Sequence, residues 1–185
     1  DTAPEEQDTN VDTGPTETGV PKDTDPGVAL LRISSGGYHT CGIDLNQHLL
    51  CWGWDAYGQV TDAPSGTFLE IASGWGHSCA VNTTGHVQCW GLDSQGQVSE
   101  FSDTTYMSVS AGTSHSCGLR GNGLVMCWGL HDGTQYDEGQ VSNTPSSVLF
   151  ETMDSGKNHN CGINTSGDIF CWGSNDFGKF TDIPK

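Results

Sequence analysis

The chain has 185 residues, with 23 acidic side chains against 6 lysines and arginines, and a formal net charge of −17. This length is typical of one domain plus a tail. The acidic balance argues against nucleic acid or an anionic membrane as the partner, because both bind basic faces. The longest apolar run, 28–31, is far shorter than the about 20 residues that cross a bilayer, so membrane insertion is not expected.

The first segment in chain order, residues 1–27, is rich in Thr, Asp, Glu, Pro and Gly. Val11 and Val20 are its only large apolar residues, too few to offset the entropy of ordering. We therefore predict an acidic, Thr/Pro-rich tail or linker, extended by charge and proline. Residues 28–185 are predicted to form one domain of four repeats, at about 28–65, 66–103, 104–147 and 148–185.

The repeats share one motif, His-x-Cys followed after nine residues by Cys-Trp-Gly, which uses all eight cysteines. An even number of cysteines at fixed spacing indicates disulfides and an extracellular, oxidising location. Zinc is the alternative. Structural zinc sites pair ligands in tight knuckles, however, and His-x-Cys places both side chains on one face of a strand. We therefore expect no metal and no cofactor.

Each repeat has the same predicted elements in order. An alternating apolar strand comes first, Ala29–Ile33 in the first copy, and a Ser-Gly turn follows it. The His-x-Cys strand, a tight turn and the Cys-Trp-Gly strand come next. A last short strand is predicted at Gly58-Gln59-Val60, Gly96-Gln97-Val98, Gly139-Gln140-Val141 and Gly178-Lys179-Phe180.

The two middle strands are predicted to pair as a hairpin with Cys41 opposite Cys51. Ile43 then faces Leu49, and the corresponding pair is apolar in every copy, which specifies the register. Opposed cysteines have a spacing that allows a bridge. The predicted disulfides are Cys41–Cys51, Cys79–Cys89, Cys117–Cys127 and Cys161–Cys171.

The other face of each hairpin carries a large indole over small neighbours, as Trp52 does over Thr40. Both faces can then be buried, which requires a further sheet on each side and favours a propeller blade or a solenoid rung. The predicted fold class is all-β: four propeller-like blades of four antiparallel strands, each blade with one internal disulfide, preceded by the extended acidic tail.

The repeated histidine is interpreted as structural, its ring tying down the turn before its strand. General base catalysis is the alternative, but no Ser or Cys nucleophile is evident once the cysteines are bridged. A polysaccharide-active enzyme would need paired carboxylates at a defined separation, and no convergent pair is found. We predict that the chain is not an enzyme.

The motif Gly-x-x-His-x-Cys, Cys-Trp-Gly and Gly-Gln-Val resembles the repeat of the regulator of chromosome condensation family. The second copy shows it as 74–79, 89–91 and 96–98. The resemblance implies a β-propeller of four-stranded blades, typically seven. The paired cysteines are similar to the secreted bacterial branch, which includes a β-lactamase-inhibitor propeller that binds through loops on the blade face. Four repeats, strong acidity and disulfides depart from the nuclear, chromatin-bound members.

Several surface residues are candidates for modification or contact. Asn82 and Asn164 begin Asn-x-Ser/Thr sequences at hairpin tips, where glycosylation or simple turn formation are the alternatives. A five-residue insertion in the third repeat lies within 130–138. We interpret it as a solvated loop, and weak calcium binding is the alternative. The candidate partner contacts are the turn aromatics Trp54, Tyr57, Trp75, Tyr136 and Phe177.

The predicted function is a non-enzymatic extracellular or cell-surface module with a structural or interaction role. We favour self-assembly through the end blades and the tail into a ring or filament, with copies of the same chain as partners. The alternative is a monomeric, secreted or surface-anchored propeller that binds another protein through its loops.

Overall fold

The computed structural model describes residues 28–134 and 136–181, and its strands there form four three-stranded antiparallel sheets. In each sheet the strands are neighbours in sequence order. We number the sheets blades 1 to 4. Their strands are β1 (Leu30–Ser35), β2 (His39–Asp44) and β3 (Leu49–Gly53); β4 (Phe68–Ser73), β5 (His77–Asn82) and β6 (Val87–Gly91); β7 (Tyr106–Ala111), β8 (His115–Arg120) and β9 (Val125–Gly129); β10 (Phe150–Ser155), β11 (His159–Asn164) and β12 (Ile169–Gly173).

One short 3-10 turn, Asp176–Gly178, follows the last strand. No helix in the described ranges is long and apolar enough to cross a bilayer. The predicted tail, residues 1–27, lies outside the described residues, so that prediction stands as it was made.

The hairpin register is confirmed in every blade. Cys41 lies opposite Cys51, Ile43 opposite Leu49 and His39 opposite Gly53, and the other three hairpins repeat these pairs. All four predicted disulfides form, with Cα–Cα distances of 4.0–4.1 Å. Each blade is therefore joined covalently between its central strand and its third strand.

The predicted fourth strand of each blade is wrong, because the Gly-Gln-Val segments are turns. Gly58 has a φ of 77°, in the left-handed region that glycine tolerates. The carboxylate of Asp55 accepts the backbone N–H groups of Val60 and Thr61, at 2.7 and 3.1 Å. Side-chain oxygens thus take the amides that a strand would pair with a neighbour.

The core lies between blades, where the disulfide face of one blade packs on the tryptophan face of the next. Cys41 and Ile43 of blade 1 pack against Phe68, Ala80 and Trp90 of blade 2. Blades 2 and 3, and blades 3 and 4, repeat this arrangement. The prediction that both hairpin faces are buried is confirmed at these three boundaries.

The two outermost faces lack such a neighbour within the described residues. Trp52 of blade 1 is 46% exposed, whereas its counterparts Trp90, Trp128 and Trp172 are 4%, 2% and 4% exposed. At the other end, Ile163 and Ile169 beside the last disulfide are 40% and 39% exposed. A depression of about 270 Å³ lies on this face, lined by Met153, Cys161 and the two isoleucines among others.

The contrast between buried and exposed indoles gives a stability test. Replacement of a buried tryptophan leaves a cavity, so Trp90→Ala should lower the free energy of unfolding by about 3–5 kcal/mol. Trp52→Ala should cost less than half of that, because the indole is already half in water. Urea unfolding of both variants in dilute solution measures the difference. Equal losses would contradict the packing of blade 2 on blade 1.

Candidate functional site

The repeated histidines link neighbouring blades. The Nε2 atom of His39 is 2.7 Å from the Ser78 hydroxyl, and that of His77 is 2.9 Å from the Ser116 hydroxyl. At the third boundary His115 donates to the Asn160 amide oxygen over 2.8 Å. The prediction that the ring ties down its own turn is therefore wrong, because its partner belongs to the next repeat.

These histidines are neutral donors in a buried environment. The Ser116 hydroxyl donates to the Gln97 carbonyl, so it accepts from His77 Nε2, which must bear the proton. Burial lowers the pKa of His77 to about 3 and that of His115 to about 4. Their Nδ1 atoms are buried and have no hydrogen-bond partner among the described residues.

Two serines, Ser78 and Ser116, contact the histidines directly. A nucleophilic serine must be reachable by substrate, and both of these are fully buried. The histidine Nδ1 atoms also lack the carboxylate that orients the base in a catalytic triad. The contact is a structural link between blades.

The Gly-Gln-Val turns form the second link between blades. The indole N–H of Trp90 donates to the Gln59 carbonyl at 2.9 Å, and Trp128 and Trp172 donate in the same way to Gln97 and Gln140. The three glutamines are buried. Sequence reasoning assigned these residues to a strand and so missed their role.

Backbone hydrogen bonds between the Ser-Gly turns form the third link. The N–H of Gly37 donates to the Gly74 carbonyl at 3.0 Å, and that of Trp75 donates to the Gly112 carbonyl at 3.2 Å. At the third boundary the N–H of Thr113 donates to the carbonyl of Lys157, one residue after the equivalent Gly156, at 3.0 Å. A Cβ atom at Gly74 would collide with the Gly112 carbonyl, which explains glycine at this position.

The two end faces hold the unmatched halves of these links. Trp52 and Thr40 occupy the positions of Trp90 and Ser78, but neither side chain has a hydrogen-bond partner within the described residues. In blade 4, His159 and Lys179 occupy the positions of His115 and Gln140, and no following blade is present among the described residues to meet them. Each end therefore offers one donor and one acceptor: the Trp52 indole and the Thr40 hydroxyl on blade 1, and the His159 ring and the Lys179 carbonyl on blade 4.

Four aromatic rings form an exposed cluster across blades 1 and 2, which we call the aromatic cluster. Trp54 lies 5.7 Å from Tyr38, 5.1 Å from Tyr57 and 6.2 Å from Trp75, measured between ring centroids and mainly edge to face. Each of the four rings is between 37% and 62% exposed. Such an aromatic patch is typical of the centre of a binding interface.

The aromatic cluster contains three of the five predicted contact residues, Trp54, Tyr57 and Trp75. Sequence reasoning missed Tyr38, although it stands in the Gly-x-x-His turn at the position that Gly76 has in the next repeat. Tyr136 and Phe177 are exposed but form no ring pair with the cluster. Their role in partner contact stays a prediction.

The insertion and the two sequons are explained by local turn chemistry. In the insertion, backbone hydrogen bonds with Thr134 lower the pKa of Asp132. No group of metal-ligating side chains suited to an ion is found within 28–134 and 136–181. The side-chain oxygens of Asn82 and Asn164 accept backbone amides of their own turns, and glycosylation there stays a prediction.

The family model for the regulator of chromosome condensation (RCC1) repeat matches residues 32–59, 68–97, 108–135 and 151–179. The chain belongs to the RCC1 repeat family. Each matched range begins within the first strand of a blade and covers the other two strands, so one sequence repeat corresponds to one blade. The comparison with curated proteins gave no match.

Three solved structures illustrate the similarity of these RCC1 repeats. The ectodomain of the Physcomitrella patens receptor kinase CR4 is 30% identical, with a TM-score of 0.64 over 78% of this chain and 39% of that one. The Arabidopsis thaliana ACR4 ectodomain is 24% identical, with a TM-score of 0.66 over 78% and 50%. Human WBSCR16 is 19% identical, with a TM-score of 0.65 over 83% and 50%. The chain thus spans half or less of these structures.

Burial of the neutral histidines predicts a loss of stability in mild acid. The unfolded chain takes up protons near the ordinary histidine pKa of 6.5, whereas His77 and His115 stay neutral when folded until about pH 3 and pH 4. From pH 6.5 down to 4 the free energy of unfolding should therefore fall, by about 1.4 kcal/mol per pH unit for each histidine. Urea titrations at several pH values measure this slope, and a flat profile would contradict the neutral buried rings.

Proposed function

We propose that this chain is a non-enzymatic extracellular interaction module that assembles with copies of itself through its end blades. The observation that supports this most directly is the exposure of the two end faces. Trp52 on blade 1 and Ile163 on blade 4 occupy positions that are buried at every internal boundary, and the position of Ile169 is buried or partly buried there. Each end face is half of an interface that the same chain completes three times.

The two end faces are complementary in the side chains that they expose and in hydrogen bonding. A head-to-tail contact places Trp52 over the disulfide Cys161–Cys171, as Trp90 lies over Cys41. The indole N–H of Trp52 would then meet the carbonyl of Lys179, and the Thr40 hydroxyl would meet His159. Apolar burial and paired polar groups would therefore form together, as they do inside the chain.

Contacts of this kind are heterologous, so they produce a ring when the rotation closes and a filament when it does not. Propellers commonly have 4–8 blades, and two chains of four blades fall within that range. We therefore favour a closed ring of two chains, with a filament as the other outcome. The tail is also expected to bind the neighbouring copy. That stays a prediction, because residues 1–27 lie outside the described residues.

The non-enzymatic and extracellular parts of the proposal rest on separate observations. The only His–Ser contacts in the described ranges are buried between blades, where substrate has no access. Four disulfides suit an oxidising environment. The solved receptor-kinase ectodomains support the same kind of location by similarity.

The aromatic cluster favours a second candidate function, binding of another protein through the loops of a monomer. Its exposed rings lie on loops of blades 1 and 2 and need no further blade to be complete. Another propeller of similar fold, yeast RCC1 (Prp20), has been solved bound to Kap60. The oligomeric state in solution separates the two candidates.

An end-face variant tests the assembly. Ile163→Asp places a carboxylate on the exposed face of blade 4 and should abolish or strongly weaken self-association, because the charge would be buried without a partner. Leu69→Asp is the matched control. Leu69 is similarly exposed but lies on an internal blade.

Sedimentation equilibrium of the full chain gives the mass of each species. We expect a dimer or a longer oligomer for the wild type and for Leu69→Asp, and a monomer for Ile163→Asp. A wild-type chain that is monomeric at all accessible concentrations would refute the assembly and favour the loop-binding monomer.

The net charge of −17 predicts how assembly depends on salt. Copies of an acidic chain repel each other, whereas the contact between the end faces is mainly apolar. Higher salt shortens the screening distance, from about 10 Å at 0.1 M to about 3 Å at 1 M, and should therefore tighten association. Dissociation constants measured at low and high sodium chloride test this, and weakening by salt would point to a charge-driven contact instead.

A further inference from the structure

Phe177 is the most exposed large apolar side chain of the described residues, at 101% of its reference accessibility. It belongs to the 3-10 turn after the last strand and has a φ of 64°, which L side chains seldom adopt. Full hydration of the ring and a left-handed backbone are both unfavourable in the isolated chain. A contact that buries this ring would offset both.

The repeat itself shows where the ring at this position packs. Phe177 precedes Gly178 as Tyr57 precedes Gly58, so the two residues hold the same position in the repeat, although only Phe177 of the two has a positive φ. Tyr57 extends across the boundary to blade 2, where its centroid lies 6.3 Å from that of Trp75. A Cβ atom built on Gly76 of blade 2 would lie 3.4 Å from the Tyr57 ring and 3.4 Å from Leu92.

The equivalents of these blade 2 residues in blade 1 belong to the aromatic cluster or border it. Gly76 corresponds to Tyr38, Leu92 to Trp54 and Trp75 to Gly37, since each pair is separated by one repeat of 38 residues. A copy stacked on blade 1 through its own blade 4 would thus place Phe177 beside Tyr38 and Trp54. These are the positions at which blade 1 has aromatic rings and blade 2 has smaller side chains.

We infer that the aromatic cluster of one copy is the binding site for Phe177 of the next copy. This inference rests on the proposed head-to-tail assembly and names the side chain that anchors it. The cluster suits a phenyl ring because its own rings meet edge to face, the arrangement that a further ring can extend. Phe177 has no polar side-chain atom, so its burial there leaves no hydrogen-bonding group unpaired.

The electrostatic surroundings are compatible with this contact. Asp55 is the acidic residue between Trp54 and Tyr57 in sequence, and its Oδ1 atom is occupied by the amides of Val60 and Thr61. The hydrogen bond from the Val60 backbone is the largest of the causes that lower the pKa of the Asp55 carboxyl. This carboxylate is thus committed to its own turn, and an approaching apolar ring need not displace a partner from it.

Aromatic substitutions in the full chain test the inference by sedimentation equilibrium. Phe177→Ala should weaken self-association at least tenfold, and Phe177→Tyr should retain it, because the ring is kept. Met107→Ala is the matched control, since Met107 is an exposed large apolar residue on the internal blade 3 and is not among the candidate contacts. Urea unfolding of each variant checks that it is folded.

A double-mutant cycle with Trp54→Ala identifies the contact. If the two rings meet, the double variant Phe177→Ala/Trp54→Ala should associate about as weakly as either single variant. A wild-type chain that stays monomeric would refute both the assembly and this inference. Wild-type assembly that Ile163→Asp abolishes and Phe177→Ala leaves unchanged would refute the inference alone. Additive losses in the cycle would place Phe177 on another surface and refute it as well.

Discussion

The two unlike faces of each blade are the constraint on which the rest of the structure depends. One face presents the disulfide with an aliphatic pair, and the other presents the tryptophan with a large residue from the first strand, Phe68 in blade 2. A sheet of three short strands buries little by itself, so its stability comes from neighbours on both sides. The disulfide adds a constraint on the unfolded chain without requiring a larger core.

Polar contacts give this packing its register. An apolar face alone would tolerate rotation or sliding of one blade over the next. Hydrogen bonds from the histidine ring, from the indole and between the turn backbones are directional, and each kind recurs at all three boundaries. Since a buried donor without an acceptor costs about 1–3 kcal/mol, a shifted register would be penalised several times over. The same neutral histidines that fix the register make it sensitive to acid.

Much of the architecture can be predicted from the sequence because each position of the repeat occurs in four copies that can be compared. The register of Cys41 with Cys51 and the burial of Trp90 came from this agreement. The Gly-Gln-Val segment was misassigned as a strand, although Asp55 before Gly58 is a turn signal. The partner of His39 could not be found from one repeat, because Ser78 lies in the next one. The aromatic cluster was only partly predicted, since loop positions vary between copies and Tyr38 has no aromatic counterpart in the second repeat.

The distribution of donors and acceptors also decides the orientation of the proposed contact. Two copies facing each other through blade 1 would bury both Trp52 indoles and both Thr40 hydroxyls without the carbonyl that Gln59 provides to Trp90. Two copies facing through blade 4 would oppose two surfaces with the same isoleucines and no large ring to fill the depression between them. Only the head-to-tail arrangement pairs the indole with a carbonyl and the large ring with the depression. Two chains of charge −17 repel each other, so a contact must have enough favourable free energy to overcome that repulsion. A contact that leaves buried donors unpaired loses this free energy, and the repulsion therefore favours the head-to-tail orientation.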